Sequence, residues 1–498
     1  MAICKTRLVT IMKHLNTIKA EPKDYPLPAS TNKFLDSMFT QTSKGLTENG
    51  AVTFIRSGCL LLDFFGQAGA MRNNQSEALD LFKKAYAEDT LKAIKILFYF
   101  RDIRGGQGER DLFRNCIQWL GEAHPEIFNQ IVKHIPEYGR WDDLFFDNDV
   151  CFGLILEQLA KDTGSETPSL LAKWLPTINA SSPTTKAKAR FMAKKLELTE
   201  KGYRQAVRAI RKQLEIVEEK MSANKWPDIN YSAVPSQAAR IYKNAFKKHD
   251  DTRYSKFIEK AEAGEVKINA STLYPYQIYK SAQSDYSKTL EALWNQLPDY
   301  TMGKNALVVA DVSGSMSGDP MAVSVSLALY FAERNKGQFK DHFITFSGDP
   351  RLQRISGTTL IDKMNSIERS QWQMNTNIQA VFALILNSAI NVQAKPEELP
   401  ETIYIISDMQ FDACCTERTN FEMIKEKYAS SGYKLPNLVF WNVDAKGGNL
   451  PVQHRESGVA LVSGFSPTIF KMAVENKTPE EVMLETINSE RYAPIIIS

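Results

Sequence analysis

The chain has 498 residues, of which 43% are hydrophobic and 24% charged, with a formal net charge of +3. It is too long for one core and too apolar for a disordered chain, so about two to four folded domains are expected. Six cysteines, scattered except for Cys414-Cys415 and without CxxC or Cys/His spacing, argue against a disulfide framework and a structural zinc and favour a reducing, cytoplasmic setting.

No apolar run approaches the roughly 20 residues that span a bilayer, so no membrane partner is expected. The segment 1–30 begins MAICKTRLVTIMKHLNTIK, basic and loosely amphipathic but without a signal-peptide core. It reads as a first helix, with a mitochondrial presequence as the alternative. Between residues 181 and 260, lysines and arginines outnumber acids by about ten, which leaves the rest slightly acidic.

From 31 to 300 the periodicity is helical: SEALDLFKKAYAED, TLKAIKILFYFRDI, GERDLFRNCIQWLGEAH and PEIFNQIVKHIPEYGRWDDLFF follow one another. Leu112, Cys116, Ile117 and Leu120 form one apolar stripe. Serial helices with short breaks predict an α-helical HEAT-like solenoid, as a ring or an arc.

Two stretches in this half are unusual. RDIRGGQGER (101–110) looks like GxGxxG, but no strand precedes it, so a dinucleotide site fails on context. Its glycines read as helix-cap and turn residues, with Glu109 and Asp111 in the first turn of the next helix. Arg101, Arg104 and Arg110 either bind phosphate or pair with Asp102, Glu109 and Asp111. In IPEYGRWDDL, Trp141 either stacks on a base or packs at a helix junction.

The basic segment supplies candidates for RNA: Lys186, Lys188, Arg190, Lys194, Lys195, then Arg204, Arg208, Arg211 and Lys212, which share one helix face at spacings of three and four. Lys243, Lys247 and Lys248 interleave with Tyr242 and Phe246. Basic residues beside aromatics suit a phosphate backbone. The alternative is a solvated face partly neutralised by Glu215, Glu218 and Glu219.

Beyond residue 301 the pattern changes. NALVVADVS, DHFITFS, TIYIISDMQF and NLVFWNVD read as buried parallel strands, separated by the helical PMAVSVSLALYFAERN, NIQAVFALILNSAI and NFEMIKEKYASSGY. Alternation of this kind predicts a doubly wound α/β domain over 301–498, completed by the strand GVALVSGF and a helix over PTIFKMAVEN.

Ligands of such sheets bind outside the carboxyl ends of the strands. Asp311-Val312-Ser313-Gly314-Ser315 directly follows the first strand there, Asp408 ends TIYIISD, and Thr376 precedes a long helix. In an extended loop the D-x-S-x-S alternation points one carboxylate and two hydroxyls the same way. Oxygen donors of low total charge suit magnesium, or another hard divalent cation, better than zinc or copper. The alternative is a metal-free turn whose serines cap the next helix. No His or Glu stands near these loops as a catalytic base, which argues against a metal-dependent hydrolase or nuclease.

DxSxS after the first strand, a threonine at the next helix entry and an aspartate after the fourth strand resemble the metal-ion-dependent adhesion site of the von Willebrand factor A domain. That resemblance implies direct contact of Ser313, Ser315 and Thr376 with the cation, with Asp311 and Asp408 acting partly through waters. It also implies one open coordination position for a protein partner's Asp or Glu. Here the threonine loop reads MNT where the family has GGT. RDIRGGQGERDLFR, IPEYGRWDDL and VPSQAARIYKNAFKKHDDTRY are similar to a group of uncharacterised proteins. These pair a TROVE-related helical region (here 31–300) with such a domain, and are distantly similar to the Ro autoantigen and its bacterial counterparts. The similarity implies a ribonucleoprotein-type binder of structured or misfolded RNA and not an enzyme. No RNA-contacting position carries over from the similarity; the candidates come from the basic residues themselves: Lys186, Lys188, Arg190, Arg204, Arg208, Arg211, Lys212, Lys243, Lys247, Arg104 and Arg110. The alternative is a protein-interaction scaffold that uses the metal site alone.

Overall fold

Residues 44–498 are described by the computed structural model, apart from 163, 164, 166, 215, 347, 348, 370–375, 414–417 and 447. Segment 1–30 and the start of the expected helical region lie outside the described residues, as do Glu215 and the Cys414-Cys415 pair. The described chain opens on an antiparallel hairpin, β1 (Lys44–Leu46) and β2 (Val52–Phe54). Helices follow: α1 (Leu60–Gln67), α2 (Gln75–Glu88), α3 (Thr90–Arg101), α4 (Asp111–Ala123), α5 (Pro125–Ile131), α6 (Ile135–Tyr138) and α7 (Asp149–Asp162). Next come α8 (Leu171–Trp174), α9 (Pro183–Lys195), α10 (Glu200–Lys212), α11 (Val217–Ser222), α12 (Ser236–Glu262), α13 (Pro275–Asp285) and α14 (Lys288–Asn295).

Polar breaks start these helices as the sequence predicts. Asn74 and Asp89 accept hydrogen bonds from the backbone N–H groups of Glu77 and Lys92, capping α2 and α3. Leu112, Cys116, Ile117 and Leu120 are buried, and α4 packs through that face on α2, α3 and α5.

The second half alternates strands and helices: β3 (Ala306–Ala310), α15 (Asp319–Arg334), β4 (His342–Thr345), β5 (Leu352–Arg354), α16 (Leu360–Glu368) and α17 (Ile378–Val392). It continues with β6 (Thr402–Ser407), α18 (Asn420–Ser431), β7 (Asn437–Asn442), β8 (Val459–Ser463) and α19 (Pro479–Ile487). The sheet order is β5-β4-β3-β6-β7-β8, parallel throughout except for the antiparallel edge strand β5. β3, β6 and β8 are buried along their whole length, which requires cover on both faces.

One strand is added and one expectation is corrected. β5 has no apolar pattern and pairs by its backbone alone at the sheet edge, so periodicity could not announce it. The helix expected over PTIFKMAVEN is only a 3-10 turn, Pro467–Lys471. The Lys304 ammonium takes the carbonyls of Phe470 and Met472, which a longer helix would need for its own N–H groups.

The helical half interlocks with the sheet. Helix α1 packs against β8 and β7, and α13 packs against α15. RDIRGGQGER supplies the main clamp. The buried Asp102 carboxylate accepts from Arg491 Nε at 2.8 Å and Nη2 at 3.1 Å and from the Tyr492 hydroxyl at 3.3 Å. Gln107 donates to the Tyr99 hydroxyl at 2.6 Å and accepts from the Ser466 N–H at 3.1 Å. Gly106 runs so close to Tyr99 that an added Cβ would lie 1.9 Å from its carbonyl oxygen. Gly464, at φ +119°, faces Gln107 with the same intolerance of a side chain. Contrary to expectation, Glu109 precedes α4, which starts at Asp111; its buried carboxylate is bonded to Arg72 instead.

Candidate metal centre and basic face

β3 and β6 run side by side, Ala306 opposite Thr402 through Ala310 opposite Ile406, so their carboxyl ends meet. From β3 the chain proceeds to β4 and β5 on one side, and from β6 to β7 and β8 on the other. This reversal of strand order opens a crevice where α/β sheets bind ligands. Asp311 and Asp408 sit there, at most 1% exposed.

Asp311 accepts from the Ser313 N–H at 2.9 Å and from the Ser407 hydroxyl at 2.6 Å. Burial, and then the neighbouring Asp408 charge, push its carboxyl up to about 6. The Ser313 and Ser315 hydroxyls lie 3.0 Å apart. They converge although Gly314–Met316 is a 3-10 turn rather than extended. Neither serine caps α15: Ser313 makes no side-chain cap bond, and the residue before α15 is Gly318, at φ +94°. Asp408 accepts from the Gln410 N–H at 3.1 Å. Met409 between them holds φ +64°, a left-handed conformation rare for a side-chain-bearing residue.

Thr376 is not bonded to this group. Its hydroxyl lies 2.7 Å from the Gln410 carbonyl and 3.1 Å from Asp412 Oδ1, and it accepts from Asn49 Nδ2 at 3.0 Å. With one donated and one accepted bond made, a single lone pair is left. The two residues before it in the MNT motif lie outside the described residues.

Sequence reasoning missed several neighbours. Lys446, in the loop after β7, donates to the Ser315 carbonyl at 2.8 Å and to Asp408 Oδ2 at 3.3 Å, and lies 3.5 Å from Asp444 Oδ2. Burial works against its ammonium, but Asp408 and Asp444 outweigh that and hold its pKa above the ordinary lysine value. Burial raises the Asp444 carboxyl, with Asp408 and Glu48 adding to the shift against Lys446. Gln410 Nε2 is buried without a hydrogen-bond partner. The strand-end rule pointed to this loop as much as to the other two. Asn49 and Glu48, by contrast, arrive from the β1–β2 turn by tertiary packing that no local pattern encodes. Among the described residues no three His, Cys, Asp or Glu side chains are placed to hold a metal ion by themselves, and the donors gathered here are mixed hydroxyl and carboxylate oxygens. A cavity of about 360 Å³ beside the Gly318 turn is lined by Tyr279, Gln283, Met321, Ala322 and Glu368.

The basic candidates divide. Arg204, Arg208 and Lys212 on α10 are exposed, as are Lys247 and Arg110. Lys186 is half-buried, and burial lowers the pKa of half-buried Lys188 near Arg114. Arg190 pairs with Glu200 at 3.0 Å. Arg211 leaves the expected stripe: its guanidinium turns inward onto the carbonyls of Ala172, Lys173 and Leu175, closing the end of α8. Lys243 is buried against Asp285. Arg104 donates to the Glu137 carbonyl. In IPEYGRWDDL, Asp143 binds Arg101 and Arg114, each at 2.8 Å, and Trp141 is half-buried against the core.

A family model described as a domain of unknown function, DUF7788, matches residues 305–493, and another, DUF2828, matches 47–139 and 172–306. The two meet at β3, where helices give way to the sheet. The uncharacterized protein L728 of Acanthamoeba polyphaga mimivirus is 30% identical over 510 residues, covering 91% of this chain and 88% of that protein. The chain belongs to the same family as this mimivirus protein.

Proposed function

We propose that the chain is a non-catalytic, ribonucleoprotein-type binding protein. Its sheet domain, of von Willebrand A type, holds a divalent cation and recruits a partner's carboxylate, and its helical half binds RNA. One observation carries the cation reading: two buried carboxylates, Asp311 and Asp408, at adjacent strand ends beside a pair of hydroxyls that cap nothing. Burial, and then the Asp408 charge, raise Asp311; a positive charge at this place offsets both, and a lysine ammonium already lies against Asp408. Hard oxygen donors suit magnesium, with Asp311, Ser313, Ser315, Thr376 and Asp408 holding it. The ion supplies a coordination position for an acidic side chain of a protein partner.

The RNA reading rests on the exposed Arg204, Arg208 and Lys212 on α10, joined by Lys247 and Arg110. Successive packing of α1 on α2, α2 on α3, α3 on α4 and α4 on α5 supports a HEAT-like arc or ring as the platform. Calorimetric titration of the full chain with Mg2+ tests the first site: saturable binding, lost in Asp311→Ala, is expected, and no binding heat refutes it. Complexes isolated from cells test the second. Loss of the complex on nuclease treatment supports RNA, whereas complexes that survive nuclease and dissolve in EDTA select the scaffold reading.

A further inference from the structure

We propose that Lys446 is a built-in competitor for the divalent cation: the crevice takes either its ammonium or the ion, and ion binding drives the lysine out. The inference rests on the cation-site reading above. The ammonium is bonded to the backbone of one candidate ligand residue, Ser315, and to the carboxylate of another, Asp408. A divalent ion drawn to those groups meets a like charge at close range, held against the fully buried Asp408 carboxylate.

The lysine has somewhere to go. Its side chain is 31% exposed, and Asp444, also partly exposed, is a second counter-ion 3.5 Å away. The charged groups acting on this ammonium are Asp408 and Asp444, and besides Lys446 itself those acting on Asp444 are Asp408 and Glu48 on the β1–β2 turn, all acidic. The ammonium thus offsets part of the negative charge of the crevice in the ion-free protein. The cost of removing it sets a threshold below which the site stays closed to the cation, and an arriving carboxylate lowers that threshold by giving the displaced lysine a second acid to pair with.

Two measurements on the full-length chain test this. In titrations with Mn2+ followed by the paramagnetic resonance of the free ion, Lys446→Gln is expected to bind about tenfold tighter than the native chain or better. Acetylation of Lys446 by acetic anhydride, read by peptide mass spectrometry on the native chain, is expected to rise severalfold at saturating Mn2+. Saturable binding by the native chain with unchanged or weaker affinity in Lys446→Gln overturns the competitor while leaving the cation site intact. So does acetylation that ignores Mn2+. Absence of saturable binding in both proteins overturns the cation site and the competitor with it.

Discussion

Asp63, in the first turn of α1, is a buried carboxylate whose principal partner is the Ser57 N–H at 2.7 Å. Burial pushes its carboxyl up to about 6. Unfolded, it would ionise near the usual aspartate value, so between about pH 4 and 6 the folded state keeps a proton that the unfolded state has released. Its contribution to stability therefore falls as pH rises through that window, by about 3 kcal/mol in total. Asp63→Asn is expected to gain stability relative to the native chain as pH is raised from 4 to 7, measured by urea denaturation at each pH. Asp102 acts through its bonds across the molecule. Its removal leaves Arg491 and Tyr492 without their shared acceptor, and Asp102→Ala is expected to cost about 3 kcal/mol in the same assay. Residue roles were only partly legible in the sequence. Asp311 and Asp408 follow from strand-end logic, but the partners of Asp102 lie nearly 400 positions away and carry no local signature.

At the scale of elements, the buried strands and amphipathic helices were readable because burial on two faces or one imposes its own period. Hidden from that reading were β5, held by backbone pairing, and the shortened helix after β8, ended by Lys304. The α10 stripe shows the limit. Spacing put Arg204, Arg208, Arg211 and Lys212 on one face, but a guanidinium long enough to reach the open carbonyls of α8 goes there. Arg211→Ala is thus expected to lower the melting temperature with little effect on RNA affinity. The triple change of Arg204, Arg208 and Lys212 to Ala is expected to leave melting unchanged and to flatten the salt dependence of RNA retention in filter binding by about three counter-ions.

Over the whole molecule, the boundary in sequence is not a boundary in packing. The two family matches meet at β3, but α1 lies on β7 and β8 and the RDIRGGQGER clamp grips the far end of the chain. Heat denaturation is expected to give one cooperative transition, with tryptophan fluorescence and helical circular dichroism coincident. Truncation after Asn488, which removes Arg491 and Tyr492, is expected to lower its midpoint. The docking surfaces that join the halves were not legible: LLLDFFGQ of α1 announces burial but not β7 and β8 as its cover, and Asp102 looks like a surface polar group until Arg491 and Tyr492 pair with it. The crevice between β3 and β6 is the place of the proposed cation site. A crystal of the full chain grown with Mn2+ and measured for anomalous scattering is expected to show one strong peak among Asp311, Ser313, Ser315 and Asp408, with the Lys446 ammonium moved off Asp408. Density with no such peak, and Lys446 still bonded to Asp408 at saturating Mn2+, would contradict it.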